Sequence, residues 1–158
     1  MSNASNTLLL RKRNGSTVGN VVSTLAEWNI ACRACPFKDD GDSKEVYTNN
    51  WKDEHGEDAY ISPIVFSEAY DLEVSLAFKG EISSAYPALK SFKNYLRGID
   101  GNGAELEIYS PHTGIGRQKC YLKSFPEKDF FQSNVDEGLE FSVVFRVTDP
   151  ITDVVLSL

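Results

Sequence analysis

From Tyr70 to Lys79 the chain reads YDLEVSLAFK, which sets Tyr70, Leu72, Val74, Leu76 and Phe78 on one side and Asp71, Glu73 and Ser75 on the other. A period of two sustained over that length predicts a strand with one face in a core and the other towards water. Leu139 to Thr148 repeats the pattern, with Phe141, Val143, Phe145 and Val147 on one side. Between these two segments the period changes. Ala85, Leu89, Phe92 and Leu96, with Tyr95, form an apolar stripe at helical spacing; Ser83 or Ser84 stands where a cap is needed, Pro87 falls in the first turn and Gly98 is placed to end the helix. Asp100 to Gly103 is a turn, Ala104 to Tyr109 a strand, Ser110 to Gly116 another turn and Arg117 to Phe125 the returning strand. The fold class that follows is α+β, mainly an antiparallel β-sandwich or barrel-like sheet with one flanking α-helix.

The N-terminal part carries weaker signals. Thr7 to Arg13 reads as a strand ended by the turn dipeptide Asn14-Gly15, and Thr17 to Ile30 as a second strand and its continuation. Residues 36–57 are mostly polar and predict a long loop, with a short strand near Glu45 to Thr48. A loop of that length in a compact domain is functional, mobile or an assembly element. At 158 residues the chain suits one domain, expected over residues 7–158 and large enough to bury roughly two-thirds of its unfolded surface. Residues 1–6, with Ser2-Asn3-Ala4 after Met1, read as the remnant of an expression tag and a disordered start.

Asp and Glu outnumber Lys and Arg 23 to 16, a net charge of -7, which argues against tight binding of nucleic acid because phosphates call for a basic patch. No apolar run approaches the roughly 18 residues of a membrane helix. Arg11-Lys12-Arg13 follow the apolar Leu8-Leu9-Leu10, the wrong order for a signal peptide, so secretion by that route is not expected. An odd count of three cysteines fits a reducing compartment better than a disulfide framework.

The candidate chemistry is sparse. Cys32-Arg33-Ala34-Cys35 is a CxxC, shared by redox sites and by half of many zinc sites. Zinc would need further ligands, and only Cys120, His55 and His112 are available without a second pair; a redox enzyme would want the motif at a helix start in a βαβ unit, whereas Pro36-Phe37 follow it. Two small, half-buried residues flanking an arginine in an irregular strand is the plainer reading. Asp39-Asp40-Gly41-Asp42 suggests a calcium loop but places Asn50 where the bidentate Glu belongs. His112 sits in a turn, and Gly114-Ile115-Gly116-Arg117 opens no helix, so it is a hairpin turn rather than a phosphate loop. No nucleophile elbow, metalloprotease motif or P-loop is present. The chain therefore reads as a non-enzyme without a cofactor or metal ion.

Trp51-Lys52-Asp53-Glu54-His55-Gly56-Glu57-Asp58, the strand from Asp71 to Gly80, the helix from Pro87 to Leu96, the strand from Glu105 to Tyr109 and the terminal Phe141 to Pro150 follow one another in an order that resembles siphophage and prophage tail components. The resemblance is to the N-terminal domain of distal tail proteins and to tail-tube proteins, and covers roughly residues 45–150. It implies a β-sandwich with a flanking helix that assembles with itself, in that family as six-membered rings, and with other tail proteins. It also implies a non-catalytic structural role in a virion, with assembly in the bacterial cytoplasm and DNA passing through a ring lumen without being held. An acidic chain suits such a lumen through like-charge repulsion. The CRACPF segment matches no motif of the family.

On that reading Trp51, Asp53, Glu54, His55, Glu57 and Asp58 are the candidate subunit interface, since aromatic side chains dominate contacts between proteins. The alternative is a small β-sandwich module, ligand-binding or accessory, that acts as a monomer or dimer.

Overall fold

A computed structural model describes residues 6–37, 42–125, 128–132 and 137–158. The expected tag remnant and disordered start lie outside the described residues apart from Asn6, as do positions 39–41 of the acidic loop. In chain order the elements are β1 (Leu9–Asn14), β2 (Thr17–Val18), β3 (Val22–Ser23), α1 (Thr24–Trp28), β4 (Ile30–Ala34), β5 (Thr48–Asn49), β6 (Asp58–Ala59), β7 (Tyr70–Phe78), α2 (Ala85–Arg97), β8 (Glu105–Ser110), β9 (Ile115–Ser124), β10 (Lys128–Gln132) and β11 (Glu137–Val147).

The main sheet runs β2-β1-β8-β9-β11-β7-β4, with β3 beside β1 and β10 beside β11, and every pairing is antiparallel. Its centre is the pair that the alternation singled out: β7 and β11 run in register from Leu139 opposite Phe78 to Val147 opposite Tyr70. Their buried residues, Leu72, Val74, Leu76, Phe141, Val143 and Phe145, share one face and lie under α2, which turns Ala85, Leu89, Phe92 and Leu96 towards them. Phe92 meets Phe141 edge-on at 6.4 Å, and Trp28 stacks obliquely on Phe92 at 5.1 Å and on Tyr95 at 5.2 Å. The apolar faces of β1, β4, β8 and β9 join the same core. The mainly antiparallel sheet with a flanking helix is thus the observed class.

Two local readings are corrected. Thr17 to Ile30 is not a strand and its continuation but two short strands followed by α1. Ser23 caps that helix by accepting from the Ala26 amide at 3.4 Å, and Asn29 ends it in the left-handed region at φ 55°. Ser84 stands at the N-cap of α2 without a side-chain capping bond, because a short 3-10 turn over Ile82–Ser84 leads into the helix instead. Gly98 ends α2 as expected, at φ 76°, where a Cβ would stand 2.8 Å from the Gly103 carbonyl oxygen.

The opposite face of the sheet is closed by charge and by the C-terminal tail. Glu107 on β8 is 1% exposed and accepts from Arg11 and Arg13 across the β1–β8 ladder. Beyond β11, the Asp149 carboxylate accepts from the Ile151 and Thr152 amides at 3.2 and 3.1 Å and from the Gln118 side chain at 2.9 Å. That turn carries the tail over β9, where the Val154 amide donates to the Gly116 carbonyl at 3.2 Å. Leu156, 3% exposed, then lines a cavity with Leu9, Leu25, Tyr109 and Pro111.

Candidate functional site

The chain between β4 and β7 leaves the main sheet and pairs with itself. Asp42 to Glu68 form an arm. At its foot, Ser43 bridges Ser67, the Lys44 amide donates to the Phe66 carbonyl at 2.7 Å and the Glu68 amide to the Asp42 carbonyl at 2.6 Å. Further out, β5 and β6 form a separate two-stranded sheet, with Thr48 opposite Ala59 and Asn49 opposite Asp58, extended by the Tyr60 amide donating to the Tyr47 carbonyl at 2.9 Å. The expected short strand near Glu45 to Thr48 is therefore displaced towards the tip.

All six residues of the candidate interface lie on or next to the β5–β6 turn and are exposed. Trp51 does not fold back onto the core: it is 50% exposed, and its indole N–H donates to the Asp58 carboxylate at 3.0 Å. That bond holds the ring across the mouth of the turn. Asp53, Glu54, His55 and Glu57 occupy the turn itself, where Gly56 takes a φ of 75°.

Sequence reasoning stopped short of the larger part of this surface. Every residue from Asp42 to Phe66 except Ser62 is exposed, and the apolar ones include Tyr47 (76%), Tyr60, Ile61 (75%), Ile64, Val65 and Phe66. None of them belongs to the core cluster. The signal was available in YISPIVF, an apolar stretch with a proline inside it and no alternation to place it on either face of a sheet.

No family model matches the chain. No curated protein matches it either. Among solved structures it is similar to a chain in a structure described as the tail of an empty GTA particle with C6 symmetry, at a TM-score of 0.44 and 11% identity over 98% of each chain.

The other candidates of the sequence fall into structural roles or apart from one another. His112 is exposed in the β8–β9 turn, and Gly114 to Arg117 form the end of that turn and the start of β9, as a hairpin requires. Among the described residues, no group of three or more His, Cys, Asp and Glu is placed to hold a metal ion. Cys120 is buried between β8 and β11, and burial pushes its thiol up to about 12. Lys12 reaches inward from β1 to the Asp100 carboxylate at 2.8 Å and lies over the Tyr95 ring at 4.1 Å from its centroid. Burial, helped by Asp100 and Glu27, raises the Tyr95 phenol to about 12, so this lysine and its partners work as a charged clasp between β1 and the end of α2. Cys32 and Cys35 are half-buried on and just beyond an irregular strand, where the β4–β7 register shifts between Cys32 and Ala34.

Proposed function

We propose that this chain is a structural, non-catalytic subunit of a phage tail or tail-like machine, and that the arm over residues 42–68 bears on a neighbouring subunit. The observation that carries the reading is the apolar arm itself. Monomeric proteins rarely keep a contiguous apolar patch of several large side chains in water, and such patches mark surfaces that another protein covers. Trp51, Tyr47, Tyr60 and Phe66 are the residue types that anchor interfaces, and they stand beside carboxylates that suit a polar rim. The element order along residues 45–150 supports the same assignment through its resemblance to distal tail and tail-tube proteins.

The arm leaves the sheet between β4 and β7, at one end of the strand order, and in the proposed assembly it bears on a different surface of the neighbour. A contact of that kind is heterologous, and heterologous contacts close into rings or continue as tubes. A six-membered ring around a DNA-sized lumen, made with other tail proteins in a virion, is the form this reading takes.

The test is solution mass with negative-stain imaging of the wild-type chain and of Trp51→Ala. Rings or tubes are expected for the former and a shift towards monomers for the latter, with little change in thermal unfolding of the monomer because Trp51 packs on no core residue. A chain that stays monomeric at every concentration and salt, alone and with other tail proteins, would overturn the assembly reading in favour of the small binding module.

A further inference from the structure

In a regular strand, residues three apart point to opposite faces. Cys32 and Cys35 do not obey that rule. Cys32 lies opposite Leu76 on the inner face of β7, but Ala34, not Arg33, lies opposite Ser75 on the outer face, so one extra residue has been inserted on the β4 side. The bulge resets the alternation. Ala34 turns outward, Cys35 inward, and both cysteines, with Phe37, pack against the same core cluster. The chain then bends, the Phe37 amide donating to the Cys35 carbonyl at 2.9 Å, and departs for the arm.

We propose that Cys32 and Cys35 are a reversible dithiol–disulfide couple, a modification site at the foot of the arm that exchanges with low-molecular-weight disulfides of the glutathione class. Support comes from the electrostatics of the pair. Interaction with the neighbouring Cys35 thiol lowers the pKa of Cys32, while the same interaction, together with burial, raises that of Cys35. Cys32 is therefore the attacking sulfur and Cys35 the resolving one.

In the forward step the Cys32 thiolate attacks one sulfur of oxidised glutathione, forming a mixed disulfide and expelling one glutathione thiolate, which takes up a proton. Cys35 then gives up its proton and attacks the Cys32 sulfur, closing the protein disulfide and releasing the second glutathione as thiol. Two protein thiols are oxidised and one glutathione disulfide is reduced. Closure cross-links the bulge to the first residue beyond β4, which fixes where the arm leaves the sheet.

The experiment equilibrates the folded wild-type protein with graded ratios of oxidised to reduced glutathione, quenches with acid and reads intact mass and tryptic peptides. Expected is a loss of two hydrogens without a stable glutathione adduct, with the peptide Asn14 to Arg33 joined to Ala34 to Lys38, and with Cys120 to Lys123 left unlinked. Cys35→Ser should instead retain one glutathione on Cys32. Repeating the wild-type equilibration in denaturing urea should lower the closure constant by about tenfold, equivalent to ~30 mV, because the bulge no longer aligns the thiols. The proposal is overturned if the folded protein stays a dithiol at every ratio, if it accumulates glutathione adducts without closing, if Cys120 is the partner, or if closure is as favourable in urea.

Discussion

Gly116→Ala tests how the C-terminal tail is held. Gly116 sits on β9 directly under the tail, and a Cβ added there would stand 2.0 Å from the Val154 carbonyl oxygen and 3.0 Å from the Tyr109 ring. The ring can rotate; the backbone carbonyl cannot yield by more than an ångström while the tail stays seated. Alanine should therefore lift the tail. Lifting it loses the bond from the Val154 amide to the Gly116 carbonyl, worth about 1 kcal/mol net. It also exposes Leu156, whose full burial is worth about 1.5–3 kcal/mol. The sum is about 2.5–4 kcal/mol. At roughly 2–4 °C per kcal/mol for a domain of this size, the melting temperature should fall by about 5–15 °C. The mechanism is checked by a double-mutant cycle with Leu156→Ala, read by calorimetry or by denaturant titration. If the tail has already left, Leu156→Ala adds almost nothing to Gly116→Ala. Should the two costs simply add, the tail stays seated in the alanine variant and the strain lies within the sheet.

Three further outcomes are expected. Val74→Asp places an unpaired carboxylate between β11 and α2 and should cost about 4 kcal/mol or more, seen as loss of soluble protein, whereas Glu73→Lys on the outer face should stay within about 0.5 kcal/mol; equal tolerance at the two positions would refute the facing of β7. Asp149 supplies a pH dependence: burial opposes its ionisation, but bonds from Gln118, Thr152 and Ile151 outweigh that and hold its pKa at about 2. A depressed carboxylate stabilises the fold above its unfolded pKa of about 3.9 and loses that contribution as pH falls through the folded value, so the melting-temperature gap between wild type and Asp149→Asn should narrow to nothing from pH ~5 to ~2. Glu107→Gln should cost about 1.5–3 kcal/mol in urea unfolding, because the carboxylate meets Arg11 with Oε2 and Arg13 with Oε1 whereas glutamine is neutral and offers a single oxygen; a change under about 0.5 kcal/mol would show the two half-exposed arginines to be adequately solvated without it.

The parts of the fold legible in the sequence are those in which burial is one-sided. In β7 and β11 polar residues alternate with apolar ones, and in α2 Lys90, Lys93 and Asn94 separate the buried stripe from water, so the period declares the element. Helix α1 escaped because five residues contain barely one turn, too few for a 3.6 period to show, and its cues, Ser23 before and Asn29 after, fit a turn equally well. Strands β5 and β6, two residues each, owe their pairing to the hydrogen-bonded frame of the arm rather than to any pattern of their own. The candidate surface was half legible. A lone tryptophan among carboxylates is conspicuous, whereas Tyr60 to Phe66 looks like core unless one knows that these residues are exposed, with none but Ser62 partly covered among the described residues.

The arm also has a thermodynamic consequence for the chain that carries it. Strands β4 and β7 are antiparallel neighbours whose pairing ends at Ala34 opposite Ser75, so that an extended link of about five residues running beside β7 to Tyr70 could join them, yet residues 35–69 separate them. By loop-closure entropy, a link some seven times longer costs about 1.7 kcal/mol more to close, and the exposed arm returns no core burial to offset it. A version of the protein with residues 42–66 replaced by a short turn, which keeps Cys35 and Phe37 on the core, should consequently fold to an equally stable or more stable monomer. Selection for the monomer alone would have shortened the arm; on the assembly proposed above, its length reflects a free energy gained only when a second molecule is present.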